Sequence, residues 1–467
     1  MTMDVAAGGL RGTIAGEVIV PADSGYDEAR STFNATIDRR PHAIVRPRTA
    51  ADVVAAVRWA RDTDLPIAVR GGGHSVAGHA VADAALVIDL RLMRKVVVDP
   101  ARKQVRVQGG ALWEDVDRAT IPHGLATPGG TFGDTGVGGL TLGGGIGNLT
   151  RKCGLSIDNL LEADVVLADG RLVTANGSVV IAGADGDLEL LWGLRGGGGN
   201  FGIVTEFEFA LHRVGPLYAG YLSIPLDAAH EALRAATALA NDAPRELTIF
   251  GGGPSTDAHD GSEAGASPAL LNLGVTYQGT PDQAEPILRP LRALPVVHES
   301  LAPMTYLEVQ AMSGILPFGL RHYWKGHFVR ELDDGVIDSV VAAMGRAAAP
   351  SFVFLEALTG AAREEPVDGA AFGQRAARWN VSGLAIWEDQ AEDERQIGWV
   401  RNVADGLRPA SLSGAGYGNY APVDETPARV RAAFGAERFD RLRRLKASYD
   451  PDNVFRFNLN VPPAISS

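Results

Sequence analysis

The stretch that decides the fold is Ile67-Ala68-Val69-Arg70-Gly71-Gly72-Gly73-His74-Ser75, an apolar strand running into three glycines and a histidine. A second tract follows further along: Gly136-Val137-Gly138-Gly139-Leu140-Thr141-Leu142-Gly143-Gly144-Gly145-Ile146-Gly147. Consecutive backbone N–H groups with no side chain in the way can cradle a pyrophosphate. Either tract alone reads equally well as a tight turn, but two tracts beside a histidine favour the cradle. A strict G-x-G-x-x-G stands at Gly197, Gly199 and Gly202. That fingerprint needs a strand before it and a helix after it. Here residues 188–194 read as a helix and residues 203–211 alternate as a strand, so the Rossmann reading fails. No G-x-x-x-x-G-K-[ST] is present, which excludes a P-loop.

Of the 57 glycines in 467 residues, 28 fall between Gly71 and Gly202 without a Gly-X-Y period, so their use is local and not collagen-like. Hydrophobic residues at 46% and charged ones at 21% describe a globular chain long enough for two or three domains. A net charge of −13 with no basic stripe argues against a nucleic-acid partner. The first thirty residues hold no apolar core of a signal peptide, and no run approaches 18 apolar residues. A soluble, cytoplasmic protein without a membrane span is expected. The single cysteine, Cys153, excludes an intrachain disulfide and a cysteine-rich metal site. His74 and His79 are the nearest approach to a metal pair, but they lack a third ligand, and no metal is expected.

Outward from the first tract, residues 49–62 read as an amphipathic helix with Thr49 as N-cap, and residues 65–69, 86–90, 95–99 and 105–108 as strands. A helix over 112–121 and a hairpin over 161–175, turning at Asp169-Gly170, complete this half. Beyond Pro216 strands are predicted over 218–224, 270–277, 323–330, 352–358 and 381–388. Helices over 228–241, 281–294, 333–348 and 393–407 alternate with them, which predicts an antiparallel sheet with helices on one face. The glycine and asparagine signal returns near Gly414, so the C-terminal segment is expected to pack back on the first half.

The motifs together are recognisable. Arg70 to Ser75 with Gly78, the 136–147 tract with Asn148, and Arg151-Lys152-Cys153-Gly154-Leu155-Ser156 with Asp158-Asn159 resemble the vanillyl-alcohol-oxidase (PCMH) type of FAD-binding domain. Tyr417-Gly418-Asn419-Tyr420, Tyr449-Asp450-Pro451-Asp452-Asn453 and Asn458 with Asn460 resemble the C-terminal element of berberine-bridge-enzyme-like oxidases. The look is nearest to bacterial members such as 6-hydroxy-D-nicotine oxidase and to polyketide-oxidising flavoenzymes. The resemblance implies an α+β chain with an FAD-binding domain of two subdomains at 1–212 (core about 40–212). It further implies an antiparallel-sheet substrate domain at 213–410 and a returning segment at 411–467. It implies FAD held by Arg70, Gly71, Gly72, Gly73, His74, Ser75, Gly78, Gly136, Gly138, Gly139, Gly143, Gly147, Asn148, Asp158, Ile203, Asn458 and Asn460. It also implies a bond from His74 to the flavin 8α-methyl carbon. Some relatives attach a second time through a cysteine just before the second tract. That position falls near Phe132, neither neighbour Thr131 nor Gly133 is cysteine, and Cys153 lies on the far side as a small filler. A single linkage is expected.

The resemblance makes Tyr420 the proton acceptor, with Tyr417 as the alternative, and either phenol would need surroundings that favour the phenolate. Anchoring of the loop by two satisfied hydroxyls remains the plainer reading of the pair. In residues 352–358 strand alternation puts Phe352, Phe354, Glu356 and Leu358 on one face, and a carboxylate there either meets substrate or makes a structural ion pair. Tyr323, Lys325 and His327 share a strand face and are expected to line the substrate cavity. The expected reaction is hydride removal from an alcohol or amine carbon of a small molecule to flavin N5, with O2 as acceptor giving H2O2. The rivals are a dehydrogenase using another acceptor, a cyclising or multistep oxidase of a natural product, and a non-catalytic flavin-binding protein.

Overall fold

The structure is a computed structural model that describes residues 9–176, 187–255 and 269–465. The described residues form three large sheets, each arising from a different sequence pattern, and a small two-stranded one of His212–Arg213 with Leu125–Ala126. In the first, Ala43–Arg46, Leu86–Asp89 and Ile67–Arg70 lie parallel, and Glu17–Ile19 closes one edge antiparallel. Parallel neighbours need a crossover, supplied by the helix Ala50–Asp62. Thr49 caps it by accepting the Asp52 N–H, and the Asp52 carboxylate returns the bond to the Thr49 backbone. Val53, Ala56, Val57 and Ala60 face the sheet and are fully buried.

The second sheet is antiparallel in the order Val96–Asp99, Gln104–Gln108, Ile203–Ala210, Leu160–Val166, Leu172–Asn176. Its centre is the strand that follows the discounted G-x-G-x-x-G, which confirms the expected helix–glycine–strand order there. The hairpin turns at Gly170 with φ +79°, a conformation that favours glycine. The 136–147 tract is not loop throughout, because Val137–Leu142 forms a short helix. Val137, Thr141 and Leu142 are buried, so packing overrides the weak helix propensity of its glycines.

The third sheet is antiparallel, ordered His298–Glu299, Leu217–Pro225, Leu270–Gln278, Leu247–Ser255, Phe352–Ala357, Trp379–Trp387, Arg321–Val329, with Ala302–Met304 also on Leu217–Pro225. Helices Ala229–Asp242, Pro281–Arg292, Asp334–Met344 and Asp393–Leu407 cover one face. Their Leu233, Leu288, Ile337 and Val403 pack with Ile249, Leu273, Leu355 and Val381 of the strands. The strand Leu247–Ser255 escapes the sequence reading, because Gly251-Gly252-Gly253-Pro254 looks like a turn. It nevertheless sits at the middle of the sheet.

The C-terminal segment returns to the first half, as expected. Its helix Ala436–Tyr449 packs Leu442 and Leu445 with Leu190, Leu191 and Trp192. Among the described residues no helix is long and apolar enough to cross a membrane.

Candidate active site

Glycines make the floor of a cavity of about 320 Å³ that runs between the two glycine tracts, the C-terminal segment and the face of the third sheet opposite its helices. Gly72 and Gly136 touch backbone to backbone: a Cβ on Gly72 would lie 2.5 Å from Gly136 N, and one on Gly136 2.3 Å from Gly72 N. Gly143 leaves room for the Asn419 side chain. Gly139 and Gly199 differ, for a Cβ on either would meet nothing within 4 Å, and neither has positive φ. Both line the cavity, so protein packing does not account for glycine there, and a bound group lying against the backbone does.

Of the residues expected to hold the cofactor, Gly71, Gly72, Gly73, His74, Ser75, Gly136, Gly138, Gly139, Gly143, Ile203 and Asn458 line this cavity. Six do not. Arg70 turns its guanidinium behind the loop to the Ala29 carbonyl (3.0 Å). Gly78 packs on Ile37, and Gly147 on the Gly129 carbonyl. Asn148 donates to Gln310 (2.7 Å), and Asp158 receives Arg375 (2.8 Å). Asn460 lies off the wall, its Oδ1 buried without a partner. The first five are held by protein contacts behind the wall, because a short motif contains both residues that face a cavity and residues that hold the backbone in shape. The tract Gly196 to Gly199 with Gly202, set aside in the sequence reading, does line the cavity. Its signal was visible, but it works with a helix before it and a strand after it.

Among the described residues no Asp, Glu, Lys or Arg lines the cavity, so an anionic cofactor would rest there on backbone N–H groups. The geometry fits FAD in this respect. The His74 ring is fixed on two sides. Its Nε2 lies 3.1 Å from Asp134 Oδ2, and Phe33 stacks on it at 4.6 Å between centroids. Phe33 stacks on His322 at 4.0 Å with its other face, and its N–H bonds the Gly73 carbonyl. Next to it, Asn34 donates to the carbonyls of Val76 (2.7 Å) and His322 (2.9 Å). The contact with Asp134 suits the tautomer in which Nε2–H donates to the carboxylate, which would leave the Nδ1 lone pair free.

At the third sheet Tyr420 lines the cavity and its hydroxyl donates to Glu356 Oε1 at 3.1 Å. Asn380 Nδ2 donates to Glu356 Oε2 at 2.6 Å. Glu356 is fully buried and among the described residues makes no ion pair, and burial pushes its carboxyl up from 4.5 to about 7 against the pull of these two donors. The same burial, with the Glu356 charge, raises Tyr420 well above the usual phenol range. The surroundings thus disfavour a Tyr420 phenolate, contrary to the sequence expectation. Tyr417 is also raised by burial. Its hydroxyl accepts the Gly145 N–H (2.8 Å) and Asn419 Nδ2 (2.8 Å), which makes it a loop anchor.

The expected substrate trio lies elsewhere. Tyr323 bonds Asp424 (2.9 Å), and His327 bonds Ser411 (2.8 Å). Neither these two nor Lys325 lines the cavity. Trp324 and Phe328, one step out of phase on the same strand, do. The period of two was right and the choice of face wrong, because both faces of this strand are covered. Cys153 also lies off the wall, packed with Leu149 and Tyr306, and burial raises its thiol to about 11.

Residues 41–176 match the family model of an FAD binding domain, and residues 416–462 that of berberine and berberine-like proteins. The chain is 32% identical to (R)-6-hydroxynicotine oxidase of Paenarthrobacter nicotinovorans, over 97% of each chain. The crystal structure of 6-hydroxy-D-nicotine oxidase from Arthrobacter nicotinovorans superposes with a TM-score of 0.85 at 29% identity, covering 97% of this chain and 98% of that one. A xylooligosaccharide oxidase from Myceliophthora thermophila shares the fold, with a TM-score of 0.85 at 23% identity over the full length of both. With its glycine-floored cavity and its berberine-like C-terminal element, the chain belongs to the FAD-linked oxidases of this family and is an FAD-dependent oxidoreductase.

Proposed function

We propose that the protein oxidises an alcohol or amine carbon of a small organic molecule, with O2 as acceptor and H2O2 as product, and that FAD is bonded to it through His74 alone. We also infer its division into an FAD-binding domain at 1–212, a substrate domain at 213–410 and a returning segment at 411–467. The observation that carries the reaction is the Tyr420–Glu356 pair at the cavity wall. Bound FAD would supply the hydride acceptor for the substrate carbon, with O2 as the terminal oxidant.

The protein's own task is the proton. Tyr420 stands between the cavity and Glu356, so its hydroxyl oxygen accepts the substrate proton while its own proton passes to Glu356 Oε1. Tyr420 ends neutral and Glu356 ends as the neutral acid. A carboxyl held near 7 suits a base that works at neutral pH, whereas the raised phenol acts as conduit. Asn380 holds the other carboxylate oxygen and fixes the direction of transfer. Asp134 holds His74 in the tautomer with a free Nδ1, and Phe33 keeps its plane.

Two measurements test this reading. Acid-precipitated protein should keep its yellow colour in the pellet, and His74→Ala should release it. Anaerobic mixing with substrate should bleach the flavin, with Tyr420→Phe slowing that step by roughly 10²–10⁴-fold. An unchanged rate in Tyr420→Phe refutes the proton pair, and reduced protein that O2 does not reoxidise makes the enzyme a dehydrogenase.

A further inference from the structure

The cavity also bears on what the substrate is, and this inference rests on the proposed function. Near the Tyr420–Glu356 pair its wall is Phe132, Leu316, Trp324, Phe328, Leu384 and Tyr417. Most polar groups at this end are already engaged. Asn419 Nδ2 donates to the Leu140 carbonyl (3.0 Å) and to Tyr417, and the Tyr417 hydroxyl accepts two N–H groups. Among the wall residues named here, the Tyr420 hydroxyl and the Trp324 indole N–H, buried without a partner, are left to meet a substrate hydroxyl. The ion-bearing side chains of the neighbouring strand, Lys325 and His327, belong to its other face. The rim is apolar as well: Ile315, beside Leu316, is 74% exposed and Phe318 is 48% exposed.

We propose that the substrate is an uncharged, ring-bearing alcohol, flat and apolar over most of its surface, whose carbinol is anchored at Tyr420. A carboxylate or ammonium would enter a wall with no opposite charge on it, and an isolated charge is not desolvated without a partner. A sugar would bring several hydroxyls to a wall with two free partners, Tyr420 and the Trp324 N–H, and each desolvated hydroxyl left unpaired weakens binding about tenfold. Aromatic walls reward flat apolar surface instead.

The test uses the purified flavoprotein under anaerobic conditions. 2-Naphthol, which is flat and has no oxidisable carbinol, is titrated while the flavin visible band and tryptophan fluorescence are followed. D-Glucose, xylobiose, 2-naphthoate and 1-(2-naphthyl)ethylamine are run alongside. 2-Naphthol should perturb both signals, and the sugars should be silent at a hundredfold higher concentration. Leu384→Ala should weaken naphthol binding about tenfold with the flavin still bound. Leu316→Ala, at the less constrained rim, gives the same reading should the first variant fold poorly. In reduction assays 1-(2-naphthyl)ethanol should bleach the flavin faster than either sugar or the amine. Failure of 2-naphthol to bind, tighter binding of 2-naphthoate, or faster bleaching by a sugar or the amine overturns the inference and leaves the oxidase reading standing. Naphthol binding with no alcohol, amine or sugar able to bleach the flavin upholds the ligand class and refutes the proposed function.

Discussion

The sharpest consequence of the site is the pH dependence set by Glu356. Its carboxyl rises from 4.5 to about 7 because burial is only partly offset by Asn380 and Tyr420. The rate of flavin reduction should therefore climb with pH along a limb of unit slope centred near 7, since the base works only when ionised. At pH 5, two units below that midpoint, about 1% of the carboxyl is ionised and reduction should run about 100-fold below its plateau. Glu356→Gln should flatten this limb and leave a residual rate roughly 10²–10⁴ below the wild-type plateau. Tyr420→Phe removes a donor that stabilises the carboxylate, so its limb should move to higher pH as well as fall in height.

Stability gives an independent reading of the same group. Folded Glu356 holds its proton more tightly than the unfolded chain does, so the stability it supplies is full below about pH 4.5. That contribution is lost as pH rises through about 7, by about 3 kcal/mol for a fully buried carboxyl. Glutamine cannot titrate. Between pH 4.5 and pH 8 the stability of Glu356→Gln relative to wild type should shift by about that amount in its favour, whatever its constant offset. The assays are single-turnover anaerobic reduction against pH and denaturant unfolding at the two pH values. A limb near 4.5 in the wild type, or a limb that survives in Glu356→Gln, refutes the reasoning.

Other perturbations separate the remaining roles. Cys153→Ala should keep the flavin in the acid pellet, because the thiol lies off the cavity wall, whereas Asp134→Asn should lower the fraction bonded, read as the ratio of pellet to supernatant flavin. Gly139→Ala adds a methyl where the protein leaves open space, inside a helix, and should stabilise the apoprotein by about 0.5–1 kcal/mol. The same change should lower flavin content, measured by absorbance per chain. Lys446→Met strands the Asp450 carboxylate, which with the Asn200 and Phe455 carbonyls receives the buried ammonium. A cost of about 3–5 kcal/mol is expected, read as a lower melting temperature, with early flavin release because Asn458 lies on the same segment.

What the sequence disclosed follows from where its signals live. Helix Ala50–Asp62 was legible to the cap, because Thr49 and Asp52 encode a local bond. The glycine floor was legible as composition, but its division into wall and brace was not. Whether Gly147 faces a ligand or the Gly129 carbonyl depends on a neighbour distant in the fold. Glu356 and Tyr420 each stood out, yet their pairing joins a strand to a loop 64 residues away. Tyr323, Lys325 and His327 went to the wrong face because alternation gives a period and no phase. Leu247–Ser255 was hidden by glycines that suit a crowded sheet interior as well as a turn.

Phe33 and Asn34 carry a practical warning about boundaries. The family match begins at residue 41, so a chain trimmed to that border would lose both. With them would go the ring wedged between His74 and His322, and the amide that ties the Val76 loop to the third sheet. Such a truncated protein would keep every glycine of the floor and the histidine itself. His74 would lose its lateral support, and two halves of the molecule would lose a shared rivet. Expression designs and chimaeras of this fold should therefore carry the N-terminal segment around Phe33 and Asn34 together with the cavity it braces.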